Sequence, residues 1–431
     1  EGGTNFTNSL LVGTSSTGTL DSAIGNTGVG TGVFGALTTG DNNVAVGLNA
    51  LDVMTTAAQN TALGACALAA TTTGGCNTGI GYLALTSNTT GVDNIAIGRC
   101  ALHSNTDTNE NVAIGNFALR SNDNTNSVAI GFKALCANTT GANNTAVGTN
   151  SLDGNTTASD NTALGKSSLG ANTTGCENTA IGKDAMLANT TGIRNVAVGK
   201  GSLKTNTTGA SNVAIGREAL GVATTAANNT SVGFDSMQAT TTGAGNVAIG
   251  RNALFTNTTG TENVAIGLYA LNANTTGDRN VAIGCGALDA NTTADTNTAV
   301  GSNALGVNIT GSSNTAVGDL SLDANTTGSN NTATGRSTLG ANTTGGFNTT
   351  IGAGSLNSNT TGTCNASVGY LALDANTTGA SNVAIGADAL GANTTGTGNV
   401  GVGCGSLLVH TTGAFTTALG FRAMCSNTTV S

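Results

Sequence analysis

Proline and tryptophan are absent from this 431-residue chain, aromatic residues make up only 3% of it and charged residues only 8%. Average chains carry about 25% charged residues. Each shortage excludes something. Without proline, no residue is barred from donating its N–H to a ladder, as interior strands require. With so few aromatics, an ordinary globular core has little large apolar volume to draw on. Only 13 Lys and Arg stand against 22 Asp and Glu, a thinly spread net charge of −9, which argues against nucleic-acid binding through a basic stripe. The longest run lacking a polar side chain, Ala62 to Ala70, is about half the ~18 apolar residues of a membrane-spanning helix. Composition thus excludes a membrane span and argues against a conventional enzyme.

What remains is glycine, asparagine and threonine, and they recur at a fixed interval. Glycines mark every 17th position from Gly13 to Gly115 and, after one 16-residue step, from Gly131 to Gly420, giving 25 repeats. No linker or charge block interrupts them. The expectation is one continuous array over residues 1–431, less regular over 1–40 and regular over 41–431.

Counting from that glycine as position 0, in the repeats from Gly47 onward, position −1 is Val, Ile or Leu except at Thr334. Position −2 is nearly always Ala, and −4 is Asn except at Ser127 and Thr416. Position +3 is Ala or Ser with one Thr, +4 is always Leu or Met, and +7 usually opens Asn-Thr-Thr-Gly. Segments of five to seven residues between breakers are too short for a helix, which needs apolar recurrence at three and four over eleven or more residues. Seventeen residues suit one coil of an all-β solenoid (a parallel β-roll or β-helix) with two or three short strands per turn. Stacked at ~4.8 Å, about 25 coils make a rod about 120 Å long.

One such coil is not viable alone. Burying a Leu and an Ile yields roughly 3–6 kcal/mol, whereas ordering 17 residues costs on the order of 25 kcal/mol. Stacking supplies the difference through hydrogen bonds and contacts on both sides of each coil. Positions −1 and +4 should form aliphatic columns, and Asn at −4 an amide ladder. Position −3 is Val or Ile in 11 repeats and Thr in 11. Since −3 and −1 share one side of a strand, two registers are open. Either Val and Ile face the interior, or Asn and Ala line it and Val and Ile form an outer seam. The second requires cover by another chain and predicts a homo-oligomer, most simply three-fold. Neither terminus carries a helix or polar cap, so the strand edges call for cover by further chain or other subunits.

Asn-Thr-Thr-Gly has two readings. It is corner chemistry, with Asn and Gly tolerating positive φ. It is also an N-glycosylation acceptor, present at Asn88, Asn138, Asn155, Asn172, Asn189, Asn206, Asn257, Asn274, Asn291, Asn308, Asn325, Asn342, Asn359, Asn376, Asn393 and Asn427. Outward threonine rows also invite an ice-binding reading, although a Thr-Thr pair turns only one side chain outward. Nine cysteines, at 66, 76, 100, 136, 176, 285, 364, 404 and 425, are too scattered for a disulfide framework. His103 and His410 are the only histidines. The sequence supplies no catalytic constellation, no cofactor motif and no metal-ligand spacing.

The repeat itself resembles known architectures. The segment at 206–220, Asn-Thr-Thr-Gly-Ala-Ser-Asn-Val-Ala-Ile-Gly-Arg-Glu-Ala-Leu, is similar to shaft repeats of phage and viral tail-fibre-like proteins, many of which end in an endosialidase-type chaperone domain. Asn-Val-Ala-Ile-Gly-x-x-Ala also resembles head repeats of trimeric autotransporter adhesins, a parallel β-roll in trimers. The resemblance implies an extracellular fibre, on a virion or cell surface, that spaces or adheres and self-associates as a trimer or end-to-end filament. A glycan or receptor adhesin and a glycosylated eukaryotic filament are the alternatives.

Overall fold

A computed structural model describes residues 6–13, 17–426 and 428. The chain divides into two compact units, Glu1–Asn212 and Val213–Ser431. Each by itself is an all-β solenoid built from the same 17-residue coil, and no helix occurs among the described residues.

Each regular coil contributes a single three-residue strand at positions −3 to −1, such as Val247–Ile249 and Val264–Ile266. These pair in parallel with like over like: Val247 with Val264, Ala248 with Ala265, Ile249 with Ile266. At the amino-terminal end the pairing is Phe6–Thr7 with Ala23–Ile24 and Leu10–Val12 with Thr27–Val29. One strand per coil corrects the expected two or three. Extension is interrupted by left-handed residues at 0, +2, +4 and −5, as in Gly250 (φ 135°), Asn252 (56°), Leu254 (53°) and Glu262 (56°). The rest of the coil is nonetheless hydrogen-bonded to its neighbours. Leu254 N–H donates to the Ala270 carbonyl of the next coil, and Asn252 N–H to the Phe234 carbonyl of the previous one.

The position 0 glycine is required twice over. Its φ is closed to most side chains, and a Cβ on Gly250 would lie 2.5 Å from the Gly267 carbonyl oxygen. Leucine at +4 is the opposite case, a branched side chain held at positive φ. Left-handed backbone costs about 1–2 kcal/mol there, and full burial of a leucine returns roughly 1.5–3. Leu254 and the other leucines at +4, from Leu51 to Leu407, are completely buried, while Met424 in the last coil is 41% exposed; for the leucines, burial wins.

The interior is lined by −4, −2, +3, +4, +7 and +10. Asn246, Ala248, Ala253, Leu254 and Asn257 are all fully buried, whereas Ile249 is 40% exposed. The open register is thereby decided: the −1 aliphatic column lies outside, and only the +4 column lies within. The cause is space. A Cβ added to Gly79 at −2 would stand 3.2 Å from Leu68 Cγ of the preceding coil. The wall behind the leucines therefore admits Ala, Gly or Ser, and once Thr (Thr350), and the bulkier Val and Ile take the other side of the strand.

The corner also differs from expectation. Neither Asn257 at +7 nor Gly260 at +10 has positive φ. Glycine is favoured at +10 because a side chain would crowd Asn257 Oδ1 and the Gly277 carbonyl. The 16-residue coil drops its residue here. Asn122 Nδ2 donates to the Asn124 carbonyl two residues on, rather than three, and Asn138 still donates to Asn122 Oδ1 at 2.7 Å.

Candidate interaction faces

Two amide ladders run inside each unit. At −4, Asn263 donates its backbone N–H and Nδ2 to Asn246 Oδ1, and Nδ2 also reaches the Gly277 carbonyl. At +7, Asn274 Nδ2 donates to Asn257 Oδ1 and to the same Gly277 carbonyl. Sequence reasoning found the first ladder. It missed the second, because Asn-Thr-Thr-Gly reads as a surface corner.

This second ladder holds the candidate glycosylation sites. All of them but Asn427, which lies outside the described residues, are fully buried. The atom that would carry the sugar is Nδ2, the ladder donor, so a glycan on Asn189 or any equivalent is incompatible with the closed coil. The glycan expectation is corrected at those fifteen asparagines on that ground. The following threonines divide as the strand argument anticipates. Thr258 Oγ1 donates to the Thr275 carbonyl of the next coil, while Thr259 and its equivalents at +9 are exposed.

The outer face of the strand is a repeated, partly apolar surface. Ile215, Ile249 and Ile283 are 38–40% exposed, and Val or Thr at −3 stands beside them. Next to this face, position +1 carries Lys166, Lys183 and Lys200 in three successive coils of the first unit, and Arg217, Phe234 and Arg251 in three of the second. Arg217 and Arg251 lie against the Phe234 ring at 5.3 and 5.7 Å from its centroid.

The remaining chemistry-bearing residues are dispersed. All nine cysteines are free thiols, and only Cys100 is buried. His410 occupies a +7 slot in the interior, and neither ring nitrogen has a hydrogen-bond partner. His103 is half-buried on another coil, its pKa lowered by burial and then by Arg120. No group of three or more His, Cys, Asp or Glu suited to a metal occurs among the described residues.

At +5, where Gly306 follows Asp289 and precedes Asp323, the surface is notched. Asp289 and Asp323 flank Gly306 in a cavity of about 310 Å³ walled by Val307 and Leu320. Burial pushes both carboxyls above the usual carboxylate range, and for Asp323 the neighbouring Asp319 adds to the effect. The notch is therefore acidic without a counter-charge.

No protein-family model matches the chain, and no curated protein matches it in sequence.

Proposed function

We propose that the chain is the shaft of an extracellular fibre, on a virion or cell surface, that self-associates side by side through the outer strand face. One observation carries this reading: the −1 aliphatic side chain lies on the outer side of the strand in coil after coil, exposed at Ile215, Ile249 and Ile283 in alternate coils and half-buried at Val232 and Ile266 between them. Isolated surface leucines and isoleucines need no explanation, but a contiguous apolar column marks an interaction surface. The regular repeat supports a spacer role, since each added coil extends the array without changing its section.

Sedimentation velocity of the full chain tests this, beside a variant carrying Ile215→Lys, Ile249→Lys and Ile283→Lys. The expected result is an oligomer for the parent and a monomer for the variant, with the same β-sheet circular dichroism. A parent that stays monomeric at micromolar concentration overturns the side-by-side shaft.

A further inference from the structure

We propose that a notch framed by Arg336 and Tyr370 binds a hexuronic acid unit of an acidic polysaccharide. The sequence makes the notch by column. At +1, consecutive coils carry Arg336, Ala353 and Tyr370; at +2 they carry Ser337, Gly354 and Leu371. The middle coil has the small residue at both positions and is recessed between two bulky neighbours. Coils stack at ~4.8 Å, so the rims stand about 10 Å apart, the width of one sugar ring. The cavity is about 270 Å³, and Asn357 completes its lining. Its floor is the bare backbone of Gly354, which carries no side chain to fill the recess.

The lining is matched to an anionic saccharide. Arg336 is exposed, and the two ion pairs among the described residues, Lys183–Asp184 and Arg194–Glu177, do not involve it. Its planar fork pairs two donors with a carboxylate. Tyr370 is 61% exposed and offers a ring face to sugar C–H groups with a hydroxyl at its edge. Ser337 and Asn357 supply the neutral donors and acceptors that fix a ring's hydroxyls. The acidic notch at Asp289 and Asp323 is an internal contrast, a similar recess with the opposite charge.

The site goes beyond the shaft reading, and either can stand without the other. Calorimetric titration of the full chain with glucuronic acid, and separately with glucose, tests it. Glucuronic acid is expected to bind about tenfold more tightly than glucose, the preference a charge-assisted bidentate contact confers. Arg336→Ala should abolish that preference, and Ala353→Phe should block both sugars by filling the recess. Asp289→Asn should leave the titration unchanged. Equal binding of the two sugars, no binding of either, or a preference that survives Arg336→Ala overturns the proposal. Sedimentation of the same samples reads self-association separately, and unchanged melting of Arg336→Ala and Ala353→Phe shows that the coils remain closed.

Discussion

Asn178 and Asn189, eleven residues apart in sequence, donate their side-chain amides to one acceptor, the Gly192 carbonyl, at 2.9 and 3.1 Å. This convergence ties the two internal ladders together in coil after coil. It also makes the asparagines structural elements rather than surface decoration.

Removing one rung should therefore cost more than a typical hydrogen bond. Asn189 donates to Asn172 Oδ1 and the Gly192 carbonyl and accepts from Asn206 Nδ2. Asn189→Ala strands buried groups on both sides, a loss of roughly 2–4 kcal/mol. Hydrogen exchange is the suitable measurement, because a repeat array opens locally. Amides near 172–206 should lose protection before distant coils do.

Inside and outside can be told apart by truncation. Leu254→Ala should destabilise by about 2–5 kcal/mol, as large-to-small changes in cores do. Ile249→Ala, five residues away on the outer face, should cost less than about 1 kcal/mol when the chain is dilute. Chemical denaturation of both variants checks the register, and reversed costs would contradict it.

The two glycine columns should respond differently to alanine. Gly250→Ala combines forbidden φ with a Cβ at 2.5 Å from a backbone oxygen, a loss on the order of 3 kcal/mol or more. Gly260→Ala should be milder, about 1 kcal/mol, because Ala158 and Ala294 already occupy that column, buried at 1% and 2%. Thermal melting of the pair decides.

Acid should relieve one small strain. Burial raises the Asp289 carboxyl in the fold, so its ionised form is less favourable there than in the unfolded chain. That penalty is absent below the ordinary carboxylate range and appears as pH rises through the elevated folded value. Asp289→Asn should melt higher than the parent at neutral pH and match it near pH 3. A difference that persisted unchanged in acid would contradict burial as the cause.

Much of this was legible in the sequence, for physical reasons. The period, the small residue at +3, the leucine at +4 and the ladder at −4 each leave one residue type in one column. The side to which −3 and −1 point was not legible, because Asn-Ala and Val-Ile both make consistent walls on paper. Only the approach of position −2 to the leucine of the preceding coil, as at Gly79 and Leu68, separates them. The left-handed backbone at +2 and −5 was hidden too. Those slots hold Asn252, Glu218, Tyr269 and Arg279, residues chosen by solvent rather than by φ. The Arg336–Tyr370 recess depends on small residues coinciding in two columns of one coil, which a column-by-column reading passes over.

The rungs have a direction. Asn263 hands its amide hydrogens to Asn246, and Asn280 hands its own to Asn263. Every finished rung thus shows amide hydrogens toward the amino terminus and an amide oxygen toward the carboxyl terminus, while the backbone around it donates in both directions. A polypeptide synthesised from the amino end always leaves bare oxygens facing the segment still to come. A rung turned the other way would set amide oxygen against amide oxygen, so the two ladders hold every turn to one polarity.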